Sequence, residues 1–337
     1  MEQAETGRGV MPDWQSIWIF LTLERSGSFR SAASRLGMSV NSVRRRIDDL
    51  EALIGAPLLT RHVDGIRLTA EGHAILEAAN RMEVAAFGLV RAGEAAPFAE
   101  AGEVRIAVTE GLGAFWLAPR LVEFQRANPR LTVDLRCAME SADVLRMEAD
   151  VAIQLTRPTS PDLRVVKLGR MHMLPYAARD YEQTYGLPAA PKDLARHRIV
   201  VQAGSQTIRL EDFTRDQPGF PSTIPVTLKV NVSSAYYWAI AKGAGIGLLP
   251  TYASAIGAQV IPVDNLGRFS RDIWLTYHPD AERIERVRRT IDWLRAAFDP
   301  KFYPWFRDDF IHPRDLPTVI KGKPLPDLFA GFTAMKP

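Results

Sequence analysis

Apolar residues recur at helical spacing at the start of the chain. Trp14, Ile17, Trp18 and Leu21 predict a first amphipathic helix that stops near the Arg25-Ser-Gly-Ser28 stretch. Ser28 is an N-cap candidate for a short second helix, FRSAASRL, whose Ala32, Ala33 and Leu36 form the buried face, and Gly37 supplies its left-handed end. Ser39 then caps a third helix in which Val43, Ile47, Leu50 and Ile54 fall on one stripe. At about 100° per residue, Asn41, Ser42 and Arg45 point away from that stripe, with Arg44 and Arg46 on its flanks. Asp48 and Asp49 follow one turn later, in reach of Arg44 and Arg45 as i,i+4 pairs.

Two helices joined by a short glycine-containing turn form a helix-turn-helix, whose second helix offers its N-terminal residues to the major groove. Taken alone, RRRIDD reads equally well as a solvated, ion-paired face. The next segment adds weight to the DNA reading. Asp64-Gly65 is a hairpin signal between a strand carrying Arg61 and His62 and one carrying Ile66, Arg67 and Leu68, which makes a basic wing. Thr69 caps a long helix with Ile75, Ala79, Met82, Ala86 and Leu89 along one seam, serving either a two-stranded dimer interface or packing within the chain.

Residues 93–102, rich in Ala and Gly, read as a hinge, after which the pattern changes to strands alternating with helices. VRIAV, LTVDLR and ADVAIQL are strands around the helix GAFWLAPRLVEFQRANP. RVVKL, RIVVQ, VTLKV and GIGLLP are expected in a second subdomain, and RDIWLTYH and the helix AERIERVRRTIDWLRAAF return to the first. Two crossovers between two sheets make a cleft, and ligands collect at the C-terminal ends of such strands. That rule selects Thr109, Glu110 and Gly111, then Thr156 and Arg157, then Gln202 through Ser205, and Ser233 with Ser234 at a helix start. Free N–H groups there favour an anion, whereas Glu110 would repel one and hold an amine. The glycines of GAGIGLLP follow a helix and precede a strand, the reverse of a dinucleotide loop, so they end that helix. Tyr236, Tyr237 and Trp238 read as packing.

Composition narrows the function classes. A chain of 337 residues, 47% hydrophobic and 24% charged, holds two or three folded domains. The net charge of +3 is too mild to argue for nucleic acid, so any basic footprint must be local. A lone Cys137 forms no intrachain disulfide and no zinc or redox pair, and six histidines show no metal spacing, so no cofactor and no metal are expected. Catalysis has no recognisable site. With no secretory pattern at Met1–Trp14 and no membrane-length apolar run, the expected location is the cytoplasm, away from membranes.

The spacing of SGSF, AA, RL, S..SV...I..LE, G.PLL.R and LT..G over residues 14–72 resembles the LysR-type transcriptional regulators. The sequence departs from that pattern at Val40, where glutamine is common, and at Arg44, where serine is usual. The resemblance implies an α/β multidomain protein: an N-terminal winged helix-turn-helix with a long linker helix, then a two-subdomain α/β effector domain like periplasmic binding proteins. Its parts would be the DNA-binding domain at 12–70, a dimerising linker helix at 71–92, the hinge, and an effector domain at 103–298. Subdomain I would take 103–156 and 270–298, and subdomain II 163–264. Residues 299–337 lie beyond the resemblance and are expected to wrap over the effector region or over a partner subunit.

Asn41, Ser42 and Arg45 are the expected base or groove contacts, with Arg44, Arg46, Arg61 and Arg67 on the DNA backbone. Ser28 and Ser39 serve first as caps, with phosphate contact second. The implied partners are double-stranded DNA, a small-molecule effector, RNA polymerase, and further copies of the chain in a homodimer or homotetramer. The competing reading is a solute-binding or sensor protein whose helix-turn-helix has no specific DNA role.

Overall fold

The computed structural model describes residues 11–62, 65–94, 101–207, 211, 219–257, 259–320, 325, 328 and 329. Contacts divide the chain into two units, Met1–Ala92 and Gly93–Pro337.

In the first unit, α1 (Trp14–Ser26), α2 (Phe29–Leu36) and α3 (Val40–Ile54) each begin at a capping side chain. Asp13, Ser28 and Ser39 accept the backbone N–H three residues on, and Gly27, Gly37 and Gly55 close the helices in left-handed geometry. The core is Ile17, Ile19, Phe20, Leu21, Leu23, Ala32, Ala33, Val43, Ile47, Leu50, Leu58 and Ala79. Two expectations need correction. α1 is buried around more of its circumference than one stripe, while Trp14 is exposed and Trp18 only half-buried, its ring 6.1 Å from that of Phe87. Ile54, expected on the buried stripe of α3, is exposed at the helix end.

The wing forms from β1 (Leu59–His62) and β2 (Gly65–Leu68), paired antiparallel; Asp64 of its turn lies outside the described residues. Ile66 donates to the Gly27 carbonyl at 3.0 Å, so the wing is fastened to the α1–α2 turn. Thr69 caps α4 (Ala70–Glu94) through the Gly72 amide and also donates to the Pro57 carbonyl. The approach is close: a Cβ on Gly72 would meet the Leu58 carbonyl at 2.1 Å. Farther along α4, fully buried Glu83 takes two hydrogen bonds from Arg25 of α1, at 2.7 and 2.6 Å. Of the linker seam, Ala79 is buried and Ile75 packs on the core, while Met82 and Leu89 are exposed.

The second unit is built on a seven-stranded sheet. β3 (Gly102–Thr109) runs parallel to β4 (Leu131–Ala138) and to β5 (Val151–Gln154). Between β3 and β4 a helical run consists of α5 (Glu110–Leu112), a π-helical turn at Gly113–Leu117 and α6 (Ala118–Ala127), and the next described helix is α7 (Arg179–Tyr185). The sequence predicts two separate sheets, but the structure has one main sheet, because RVVKL is only the start of a fifteen-residue strand, β6 (Arg164–Ala178). β6 pairs antiparallel with β11 (Phe269–Tyr277) along most of its length, and its far end pairs with β9 (Gly247–Pro250) and β10 (Val260–Pro262). Its run of apolar residues from Met171 to Ala178, interrupted only by His172, hid its length, since an apolar run carries no marker of a sheet boundary. β7 (Ile199–Gln202) and β8 (Val226–Val230) form a separate parallel pair.

The described part of the C-terminal extension packs on the chain's own second unit. Trp305, Phe306, Leu316, Leu325 and Phe329 are buried in the main core. Trp116 is the centre of this cluster, edge-on to Tyr303, Trp305 and Phe306 with centroids 4.8 to 5.2 Å away. Arg120 lies 3.1 Å over the same indole and donates to the Trp116 and Leu328 carbonyls. Burial lowers its pKa from the ordinary arginine value.

Candidate functional site

Two places carry chemistry, one in each unit. In the first, burial of Val43, Ile47 and Leu50 fixes the rotation of α3 and leaves Asn41, Ser42, Arg44 and Arg45 exposed. Ser39 keeps its capping role, and its hydroxyl also shares a 2.8 Å hydrogen bond with that of Ser42. Ser28 is likewise engaged as a cap, accepting from Ser31 at 3.2 Å. Arg67 is exposed on the wing.

The remaining bases depart from the simple picture of free side chains. Arg46 donates to Gln15 at 3.0 Å and lies 3.5 Å from the Asp13 carboxylate, so it is partly spent in joining α3 to α1. Asp13 in turn is held below the usual carboxylate range, chiefly by the Ser16 amide and hydroxyl. Arg44 and Arg61, from the third helix and the wing, both lie 5.6 Å from the Phe29 ring centroid. Phe29 is thus a shared platform for two cations, which sequence reasoning missed because the contact joins three separate elements. The expected Arg44–Asp48 and Arg45–Asp49 ion pairs do not form among the described residues, so both arginines keep their charge for another partner.

In the second unit a cavity of about 140 Å³ opens among the ends of β3, β5, β7 and β9 and the helix α8 (Ser233–Ala241). Thr109, Gly111, Gln202 and Ser233 of the predicted set line it. The Gln202 amide donates to the Ser233 hydroxyl at 2.8 Å, and a Cβ on Gly111 would be 2.8 Å from that of Ser233. The other predicted residues, Glu110, Thr156, Arg157, Ala203, Gly204, Ser205 and Ser234, do not line it. The Glu110 carboxylate accepts the Ser234 amide at 2.9 Å, occupying the start of α8 that was expected to receive an anionic ligand. Ser234 is accordingly taken up in that contact. Thr156 is exposed, Arg157 lies 5.1 Å over the Trp274 ring, and Ser205 donates to the Met139 carbonyl at 2.9 Å.

Gln206 was not anticipated. It is buried, and its side-chain oxygen accepts from the Thr109 hydroxyl at 3.2 Å and from the Leu155 amide at 2.8 Å. The segment after β7 is thereby tied to the ends of β3 and β5. Tyr237, expected as packing, lines the cavity as well, while the Tyr236 hydroxyl accepts the Leu248 amide at 2.6 Å and Trp238 is exposed. Burial keeps the Tyr237 hydroxyl protonated, its pKa pushed up to about 12.

Two family profiles match the chain. One, described as "Bacterial regulatory helix-turn-helix protein, lysR family", matches residues 14–73, and the other, "LysR substrate binding domain", matches residues 99–299. The chain is 28% identical over 295 residues to the probable HTH-type transcriptional regulator LtrA of Klebsiella pneumoniae, spanning 85% of this chain and 94% of that protein. It is 26% identical over 291 residues to the HTH-type transcriptional activator TtdR of Escherichia coli K12, spanning 84% and 92% respectively. Among solved structures, CrgA of Neisseria meningitidis, titled a LysR-type transcriptional regulator, aligns with a TM-score of 0.52 at 20% identity, over 84% of this chain and 98% of that one. The Vibrio cholerae virulence activator AphB aligns with a TM-score of 0.53 at 18% identity, over 84% and 99%. At such identities the structural likeness speaks for the fold.

Proposed function

Because this chain belongs to the LysR family of transcriptional regulators, we propose that it reads operator DNA through the exposed start of α3 and the wing, and that a small effector bound in the cavity of the second unit sets its activity. The family is one of DNA-binding regulators, not of enzymes. The observation that carries the reading is the orientation of α3: Asn41, Ser42, Arg44 and Arg45 face solvent while the aliphatic stripe between them is buried.

Asn41 is placed to read adenine, and Arg45 guanine, by paired hydrogen bonds to base edges. Arg44, Arg61 and Arg67 serve the phosphates, with Phe29 holding the first two in place. Arg46, already engaged with α1, has the weaker claim to a phosphate. Met82, Leu89 and Val90, exposed on α4, support pairing of that helix with its counterpart in a second copy. The dimer then addresses two half-sites, roughly a helical turn or a multiple apart. Association into tetramers through the second unit, contact with RNA polymerase, and a cytoplasmic location complete the proposal. The effector acts by binding two arrangements of the protein with unequal affinity and shifting their populations.

Genomic footprinting followed by fluorescence anisotropy on a footprinted fragment and a scrambled duplex tests the reading. The expected result is tighter, salt-sensitive binding of the footprinted fragment. Failure to bind any promoter fragment at low ionic strength would leave a sensor with an idle helix-turn-helix.

A further inference from the structure

The wall of the cavity in the second unit carries no charge: none of its described lining residues is Asp, Glu, Lys, Arg or His. Leu249 and Ile256 give it aliphatic surface, Phe115 aromatic surface, and Met139, Met171 and Met173 three thioethers. A charged ligand entering such a wall would lose its hydration with no counter-charge to replace it. The nearest candidate for an anion, the start of α8, already holds the Glu110 carboxylate. The volume, about 140 Å³, is close to the roughly 150 Å³ of a hydrocarbon-lined cavity that takes up benzene.

The three thioethers are not equivalent. The Met139 sulfur accepts from the Gln202 amide at 3.4 Å and from the Ser233 hydroxyl at 3.7 Å, so it belongs to the small polar part of the wall. Met171 and Met173 come from β6, where with Pro175 they stand at alternate positions and line the cavity together. Arg170 and His172 fall on the other face of the strand: Arg170 donates to Asp272 at 2.7 Å, and His172 meets the Arg307 carbonyl of the C-terminal extension at 3.0 Å. The face of β6 toward the cavity is thus thioether, and the charges of the same strand are spent elsewhere. A thioether is polarisable and gains from contact with an aromatic ring in a way that a saturated ring of similar shape does not offer.

We propose that the ligand of this cavity is an uncharged aromatic molecule about one ring in size, held against the thioethers of Met171 and Met173. The polar side chains of the wall include Thr109, Gln202 and Ser233, all neutral, which suit a hydroxyl or carbonyl substituent and not an ion. This rests on the reading of the second unit as the effector domain, and it replaces the anionic effector that the helix start suggested. Met171 and Met173 are then the residues that separate a flat ring from a saturated one.

Four probes of similar size test the proposal on the full-length protein by isothermal titration at neutral pH: benzyl alcohol, cyclohexylmethanol, benzoate and benzylamine. Benzyl alcohol should bind roughly twofold to tenfold more tightly than cyclohexylmethanol, the effect of the sulfur–ring contact. The two ions should bind at least about tenfold more weakly than benzyl alcohol, because the wall gives them no counter-charge. Met171→Leu and Met173→Leu keep volume and apolar character while removing the sulfur. Combined, they should bring benzyl alcohol and cyclohexylmethanol to equal affinity and leave the ions excluded. Tighter binding of benzoate or benzylamine than of benzyl alcohol, equal binding of the two alcohols by the wild type, survival of the full preference in the double variant, or no binding of any probe would each overturn the assignment. The wild-type ranking decides the ligand class whether or not the variants fold. Anisotropy on a footprinted promoter fragment, with and without benzyl alcohol, tests the effector reading separately: an unchanged signal beside the expected ranking would sink that reading and leave the ligand class supported.

Discussion

The two units of this protein differ in where their structural information lies. In the first, each helix is bounded by residues that act within three or four positions of themselves: Asp13, Ser28 and Ser39 at the starts, Gly27, Gly37 and Gly55 at the ends. In the second, the decisive contacts join distant positions, such as Trp116 with Trp305 and Phe306, Gln206 with Thr109, and Glu110 with Ser234. The difference teaches that a surface can be inferred from one helix's own pattern, whereas a cavity is defined by segments that the sequence does not bring together.

That contrast can be broken first at the C-terminal extension. Phe306→Ala should destabilise the second unit by about 3–5 kcal/mol, the range for a fully buried aromatic. Thermal unfolding monitored by calorimetry should show one transition shifted and the other unchanged. A loss under about 1 kcal/mol, in the range of ordinary surface substitutions, would mean that the extension is an appendage, and the second unit would be as local in its making as the first.

The first unit has long-range contacts too, and one of them, between Arg25 and Glu83, sharpens the comparison. Arg25→Ala removes the two hydrogen bonds that Arg25 donates to the Glu83 carboxylate, which is 1% exposed. A loss of about 3 kcal/mol in the first unit is expected, whereas Arg25→Lys, which keeps the charge but not the paired geometry, should lose less. Equal stability of Arg25→Ala and wild type in chemical denaturation would show that capping alone secures α4.

On the DNA face the effects are smaller and fall on affinity. Arg45→Ala should weaken binding to the footprinted operator by about 1–3 kcal/mol while sparing the scrambled duplex. Arg46→Ala should do less, since its side chain is already bound to Gln15. A larger loss for Arg46 than for Arg45 would reverse the roles read from their surroundings.

The smallest expected effect concerns pH. The hydrogen bond from Arg170, joined by Lys167, holds the Asp272 carboxyl below its ordinary value of 3.8. A carboxyl whose folded pKa is depressed contributes stability that is present above its unfolded pKa and is lost as pH falls through the folded value. Asp272→Asn should therefore be less stable than wild type at neutral pH, by about 1 kcal/mol or less for so partly exposed a pair. The gap should close below the ordinary carboxylate range. A gap that persists in acid would mean that the asparagine perturbs packing rather than charge.

Much of the proposed DNA-binding surface was legible because hydrophobic periodicity and capping together fix which way α3 turns, and they placed Asn41 and Arg45 outward. Periodicity could not show that Arg44 and Arg61 converge on Phe29, or that Arg46 bends back to α1, because side-chain meeting points depend on how helices cross. For the cavity, the strand-end rule put Thr109, Gly111, Gln202 and Ser233 on its wall but could not see Glu110 turn aside to cap α8. Tyr237 carried no local signal at all. An aromatic run on an apolar helix looks the same whether it fills a core or lines a cavity, and only the three-dimensional packing distinguishes the two.

β6 passes without interruption from its pairing with the Trp274–Tyr277 half of β11 to its pairing with β9 and β10. The ladder with β11 shifts register where Ile273 and Trp274 face Gly169 and Lys167, leaving Leu168 of β6 as the extra residue, and a Cβ on Gly169 would be 2.6 Å from the Phe306 carbonyl. Any swivel of one end of this ribbon against the other must be absorbed as torsion along β6. The bulge is the softest place for that torsion, and the backbone of the extension presses directly on it. With the Phe306 backbone packed against Gly169, the C-terminal segment braces β6 where its pairing with β11 is irregular.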